Sequence, residues 1–123
     1  MMLKGKNFRS AILFTMARAI YQTNKNNKIN FEETRQYKQV ATLAACIEIA
    51  HNASLLQDDI IDKADSRRSV MAAHKIFGPS TSVFASDFMI SRASRMLTYN
   101  FDNPYICQLF STAIYNLVYG ELL

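Results

Sequence analysis

The sequence predicts an all-α protein, and three observations lead there. Only three glycines and two prolines interrupt 123 residues, so breakers are scarce. Apolar residues recur at helical spacing, with little of the strict alternation that marks strands. One stretch, residues 31–64, has neither glycine nor proline, and its middle, residues 40–56, is nearly all apolar or small. Half of all residues are hydrophobic and a fifth are charged, which is a globular rather than a disordered composition.

The first helix is expected over residues 7–22. Phe8, Ile12, Met16 and Ala19 form one stripe there, flanked by Leu13 and Ile20. The polar run 23–30, with four asparagines, reads as a solvated loop. A long helix should begin near residues 31–33, where Glu32 and Glu33 suit a helix N-terminus, and should reach about residue 64. A helix apolar all round is a central, buried one. Residues 65–80 are polar and irregular, with a short helix expected around 71–77 and a break at Gly78-Pro79-Ser80. Ser80 or Ser82 is the expected cap of a helix over 81–99. After a turn at 100–104, a last helix runs to the end. Ile106, Phe110, Ala113, Leu117 and Tyr119 or Gly120 share one face of it, widened by Leu109, Ile114 and Val118.

No repeat or linker divides the chain, so residues 1–123 read as part of a single domain. The last helix stops mid-pattern without a cap. One helix so apolar needs more partners than these elements supply, and a piece of a larger helical domain is expected.

The formal charge is +4, unevenly spread. Lys4, Lys6, Arg9, Arg18, Lys25 and Lys28 precede the first acid, Glu32. Such a segment suits an anion, a membrane surface or an import receptor, and is also how a mitochondrial presequence reads. No base-reading motif accompanies it, which sets nucleic acid aside as a partner. No apolar run is long enough for a membrane span. Cys46 and Cys107 fit no zinc spacing and read as buried free thiols in a reducing compartment.

The chemistry-bearing cluster is Asp58-Asp59-Ile60-Ile61-Asp62, at the end of the apolar helix. Asp58 and Asp62 are four apart and project from one face on adjacent turns. Carboxylates so close repel, and a hard divalent cation removes that cost. Magnesium takes one or two protein carboxylates and completes its shell with water and phosphate oxygen. An acidic, solvated helix end is the bland alternative, although acids at a C-terminus oppose the helix dipole. The absent glycine and closing glutamate set an EF-hand aside. His51, Leu55, Asp58 and Asp62 make one stripe, on which His51 is either a hydrogen-bonded core residue or a ligand. Ala53 and Ser54 are small and are expected to leave a space running down from the carboxylates. Arg67 and Arg68 follow; a guanidinium fork suits phosphate oxygens, but the pair would equally neutralise the acids. Lys6 and Arg9, three apart, face one way on the first helix, as solvated pairs also do.

Taken in order, these pieces resemble the trans-polyprenyl diphosphate synthases. The carriers are the stretch from Glu48 through His51 to Asp62, then Arg67-Arg68, then His74-Lys75-Ile76-Phe77-Gly78. Upstream, Gly5-Lys6-Asn7-Phe8-Arg9 is similar to the family's Gly-Lys-x-x-Arg element. Downstream, Ser86-Asp87-Phe88 and Gly120-Glu121-Leu122 resemble its Gly-Asp-Phe/Tyr and Gly-Glu-Leu/Phe elements. The match spans almost the whole chain. Its wording is most similar to the decaprenyl branch, which makes the ubiquinone side chain. Gln57 stands where the family usually has His, Ser10 where it has Pro, and Ser69 and Ser86 where it has Gly.

The resemblance implies the helical bundle or barrel of isoprenoid synthases, of which this chain holds the N-terminal helices. It implies a prenyltransferase that condenses isopentenyl diphosphate with an allylic diphosphate into a long all-trans chain, with Mg2+ as cofactor. By resemblance, Asp58 and Asp62 hold magnesium with Asp59 in support. Arg67 contacts the allylic diphosphate, and Lys6, Arg9, His51 and Arg68 hold isopentenyl diphosphate. Small Ala53 and Ser54 resemble the long-chain enzymes. A homo- or hetero-oligomer with another synthase subunit is implied, in the mitochondrion, with the cytoplasm as alternative. The family's second aspartate motif is absent, so this piece alone is expected to be inactive. A non-catalytic truncated partner of a full-length synthase is the alternative, against which the intact first motif argues. A terpene cyclase is disfavoured by the Gly-Lys-x-x-Arg element and the Arg pair.

Overall fold

The computed structural model describes residues 8–24, 28–67 and 70–123. Its helices are α1 (Phe8–Thr23), α2 (Arg35–Ile61), α3 (Ala73–Phe77), α4 (Pro79–Asn100) and α5 (Pro104–Leu122). Between α2 and α3 lies a hairpin of β1 (Ser66–Arg67) and β2 (Val70–Met71), pairing Ser66 with Met71 and Arg67 with Val70. The all-α expectation holds, apart from this four-residue ribbon in the region read as irregular.

Helix α2 is central, as its composition requires. No residue from 39 to 60 is exposed. The helix begins later than its glutamates suggested. Glu32 and Glu33 fall in a single 3-10 turn, Phe31–Glu33, and the Thr34 hydroxyl then accepts the Tyr37 N–H at 3.2 Å as the N-cap. Small side chains set the contact with α4. Cys46, Ala50 and Ala53 on one side and Ser82, Ser86, Ala93 and Leu97 on the other are all buried. Cys46, Ala93 and Leu97 form the nucleus of the core, with Leu43, Ile49, Met96, Phe101, Ile106 and Phe110 packed around it. Burying Leu97 alone contributes about 2 kcal/mol.

The start of α4 and the inward face of α1 also differ from expectation. Helix α4 has no serine cap; Gly78, at φ +88°, turns the chain and Pro79 opens the helix with its preset φ. The stripe Phe8, Ile12, Met16 and Ala19 of α1 is exposed, and so is flanking Ile20. Its other face meets α2 instead, through Phe14 on Tyr37 and Tyr21 on Phe31, with ring centroids 5.5 and 5.3 Å apart. Phe31 in turn meets Tyr37 edge-on, so a four-ring cluster decides which side of α1 is inward. Helix α5 is capped by Asn103, whose side-chain oxygen accepts the Tyr105 N–H at 2.9 Å. Its Ile106, Cys107 and Phe110 pack against the core nucleus, whereas Leu109, Leu117 and Val118 are exposed.

Candidate diphosphate and metal site

The aspartate end of α2 is shaped by how that helix stops. Lys63 adopts a left-handed conformation, φ 54°. Around it the Ala64 N–H reaches back to the Asp59 carbonyl at 2.9 Å and the Lys63 N–H to Ile60 at 3.2 Å. This is the paired bonding of a Schellman stop, made here without glycine. It explains why α2 ends at Ile61 and not near residue 64. The reversed chain is then fixed twice. His74, buried on α3, sits with Nε2 2.6 Å from the Ala64 carbonyl, and the Ala72 N–H donates to Asp65 at 3.0 Å. A carbonyl only accepts, so Nε2 carries the proton in that bond.

The clamped hairpin brings Arg67 back onto α2. Its Nε donates to both oxygens of Asp59 at 3.0 Å, and its Nη2 to Oδ1 at 2.7 Å. Asp59 is 5% exposed and the Arg67 side chain 36%. A carboxylate so buried demands such a partner. The hydrogen-bonded Asp59 pushes the Arg67 guanidinium above its ordinary pKa against the pull of partial burial, and Asp58 and Asp62 add to the rise.

The three acids therefore divide. Asp58 is half-buried and Asp62 exposed, and neither carboxylate is bonded to another described residue. At 3.6 residues per turn, Asp58 and Asp62 lie about 40° apart around the helix, while Asp59 is about 100° from Asp58 and about 60° from Asp62. Among the described residues no three His, Cys, Asp or Glu side chains converge as a ready-made metal cage. Two open carboxylates on one face do fit magnesium, which asks for one or two and takes the rest from water and phosphate.

Further up α2 lies a second polar region. His51 is half-buried, about 10 Å along the axis from Asp58. One turn on, Glu48 binds Arg9 of α1 at 3.3 Å and accepts the Ser10 hydroxyl at 3.3 Å. The fold thus brings Arg9 and His51 to neighbouring turns. Glu48 as the partner of Arg9, with Ser10 on the same carboxylate, escaped the sequence reading, although Ser10 in place of the usual Pro was the signal. Lys6 and Arg68 lie outside the described residues.

The expected space below the carboxylates is not found at Ala53. That residue is 0% exposed, and its carbonyl accepts the hydroxyl of Ser86 from α4 at 2.9 Å. Ser86, at the position of the usual Gly, fills what a smaller residue would leave open. Ser54 stays half-buried, its hydroxyl donating to the His51 carbonyl at 2.7 Å. An open cavity of about 480 Å³ lies at the other end of α2, among Arg35, Gln39, Phe101 and Asp102, away from the aspartates.

Comparison with known proteins agrees with this fold. The profile of the polyprenyl synthetase family matches residues 1–123. Solanesyl diphosphate synthase 3, chloroplastic/mitochondrial, of Arabidopsis thaliana is 37% identical over 97% of this chain and 29% of its own length. The human all trans-polyprenyl-diphosphate synthase is 36% identical over 98% of this chain and 27% of its own. Among solved structures, octaprenyl pyrophosphate synthase from Helicobacter pylori superposes with a TM-score of 0.78 at 28% identity, covering 96% of this chain and 34% of that one. The chain therefore spans about a third or less of the length of these relatives.

Proposed function

Because the chain belongs to the polyprenyl synthetase family, we propose that the aspartate end of α2 binds the diphosphate of an allylic substrate through magnesium. The complete synthase carrying it then adds isopentenyl diphosphate to that substrate to build a long all-trans polyprenyl chain. One observation carries this reading: Asp58 and Asp62 keep open carboxylates on one helical face while Asp59 between them is neutralised by Arg67. A helix end built for stability alone would not leave two acids unpaired against its own dipole.

Asp58 and Asp62 are the residues that hold the metal in this proposal. Bound there, magnesium supplies positive charge against the departing diphosphate. Arg67 adds a fixed cation on the same side, already oriented by its bonds to Asp59 and costing no reorganisation. The allylic carbon–oxygen bond breaks with its electron pair on the diphosphate. The double bond of isopentenyl diphosphate attacks the allylic cation, and a proton leaves to restore an allylic product. Arg9 and His51, on neighbouring turns, are the proposed holders of isopentenyl diphosphate, with Lys6 and Arg68 assigned there by resemblance alone.

Residues 1–123 are proposed as part of one synthase domain. The exposed apolar faces of α1 and α5 suit cover by the rest of that domain and by another synthase subunit, of the same or a second kind. A ubiquinone side-chain role and a mitochondrial location rest on resemblance and on relatives whose names include that compartment. Among the described residues no helix is long and apolar enough to cross a membrane. The test is incorporation of labelled isopentenyl diphosphate by the complete synthase after chelation and magnesium restoration. Elongation lost and then regained supports the proposal; elongation indifferent to the chelator overturns it.

A further inference from the structure

We infer that Asp59 is a positioning residue for Arg67 and not a third metal ligand, an inference that rests on the diphosphate reading above. Three features of the structure carry it. Asp59 is 5% exposed, whereas Asp58 is half-buried and Asp62 exposed, and it lies about 100° from Asp58 around the helix. Both of its oxygens are already engaged by Arg67. Its main chain also accepts the Ala64 N–H that stops α2, so the same residue holds both ends of the segment that delivers Arg67.

The guanidinium has five N–H donors in a planar fork. Asp59 occupies the edge formed by Nε and Nη2, and Nη1 lies on the other side of the fork, outside these bonds. Arg67 is therefore anchored through one edge while it offers the other to an anion, without choosing between them. A metal ion at Asp59 would have to displace this cation and draw a buried carboxylate outward, at a cost that Asp58 and Asp62 do not incur.

Simple electrostatics and positioning predict opposite signs, which makes the inference testable. Removing an acid next to an anion site should tighten anion binding if only charge matters. If Asp59 holds Arg67 in place, its removal weakens anion binding instead. In the complete synthase, Mn2+ titration followed by electron paramagnetic resonance reads the metal ligands. Calorimetric titration of inorganic pyrophosphate at excess magnesium reads the anion site. Asp59→Asn is expected to leave Mn2+ affinity within about threefold, whereas Asp58→Asn lowers it at least about tenfold. Asp59→Asn is expected to weaken pyrophosphate about tenfold, by as much as Arg67→Lys, which keeps the charge and loses the fork. The double variant should be no weaker than either single one. Should Asp59→Asn not fold, Arg67→Lys alone carries the test, since its side chain is partly exposed.

Mn2+ affinity falling as far in Asp59→Asn as in Asp58→Asn would overturn the inference, as would tighter or unchanged pyrophosphate binding in Asp59→Asn or in Arg67→Lys. Failure of Asp58→Asn to change Mn2+ affinity at all would instead remove the diphosphate reading beneath it.

Discussion

Arg67 returns eight residues along the chain to lay its Nε and Nη2 on the carboxylate of Asp59, at 2.7 to 3.0 Å. That contact separates the motif into one neutralised acid and two open ones. It exists because α2 stops in a tight reversal at Lys63 and because His74 and the hairpin hold the segment that follows.

The reversal itself is testable at Lys63. A non-glycine residue in the left-handed region costs about 1 kcal/mol, and a β-branched one more. Lys63→Ile is expected to lower unfolding stability by about 1–2 kcal/mol, whereas Lys63→Gly should lie within about 1 kcal/mol of the parent. Denaturant midpoints at constant m-value measure both.

His74 anchors the other end of the same segment. Its removal leaves the Ala64 carbonyl without its 2.6 Å partner and opens space beneath α3. His74→Ala is expected to cost about 1–3 kcal/mol and to speed hydrogen exchange in the paired strands β1 and β2 first.

How far the sequence reading reached depends on what fixed each element. The long helices were legible because breakers bound them and apolar spacing fills them. The inward face of α1 was not, since Phe8, Ile12 and Met16 form as good a stripe as Leu13, Phe14 and Tyr21. The rings of Phe31 and Tyr37, distant in sequence, decide between them. The end of α2 was misplaced because Lys63 gives no local sign of a left-handed turn. Paired strands of two residues each carry no alternation to detect. In the site, the pairing of Asp58 with Asp62 follows from helical periodicity alone. The separate fate of Asp59 does not, because spacing treats three acids alike until their partners are known.

Ala53 gives a contrast between packing and substrate space. It is closed off by α4 and Ser86, while Ser54 is only half-buried. Ala53→Phe is expected to overpack this contact and to destabilise by about 1–3 kcal/mol or more, with Ser54→Phe costing less. Paired thermal unfolding of the two variants decides.

Cys46 responds to pH through its burial, which pushes its thiol above the ordinary pKa. The folded form therefore holds the proton more tightly than the unfolded one. That contribution is fully present below the ordinary thiol range and falls away as pH rises through it. Native protein should resist alkylation at Cys46, 0% exposed, while half-buried Cys107 reacts first. Mass spectrometry after timed iodoacetamide treatment shows the order.

The central claim concerns the open carboxylates, and turnover of labelled isopentenyl diphosphate by the complete synthase bearing Asp58→Ala, at saturating magnesium, tests it most directly. Loss of elongation by about a thousandfold or more, with the fold retained, is the predicted result. Turnover equal to that of the parent would contradict it.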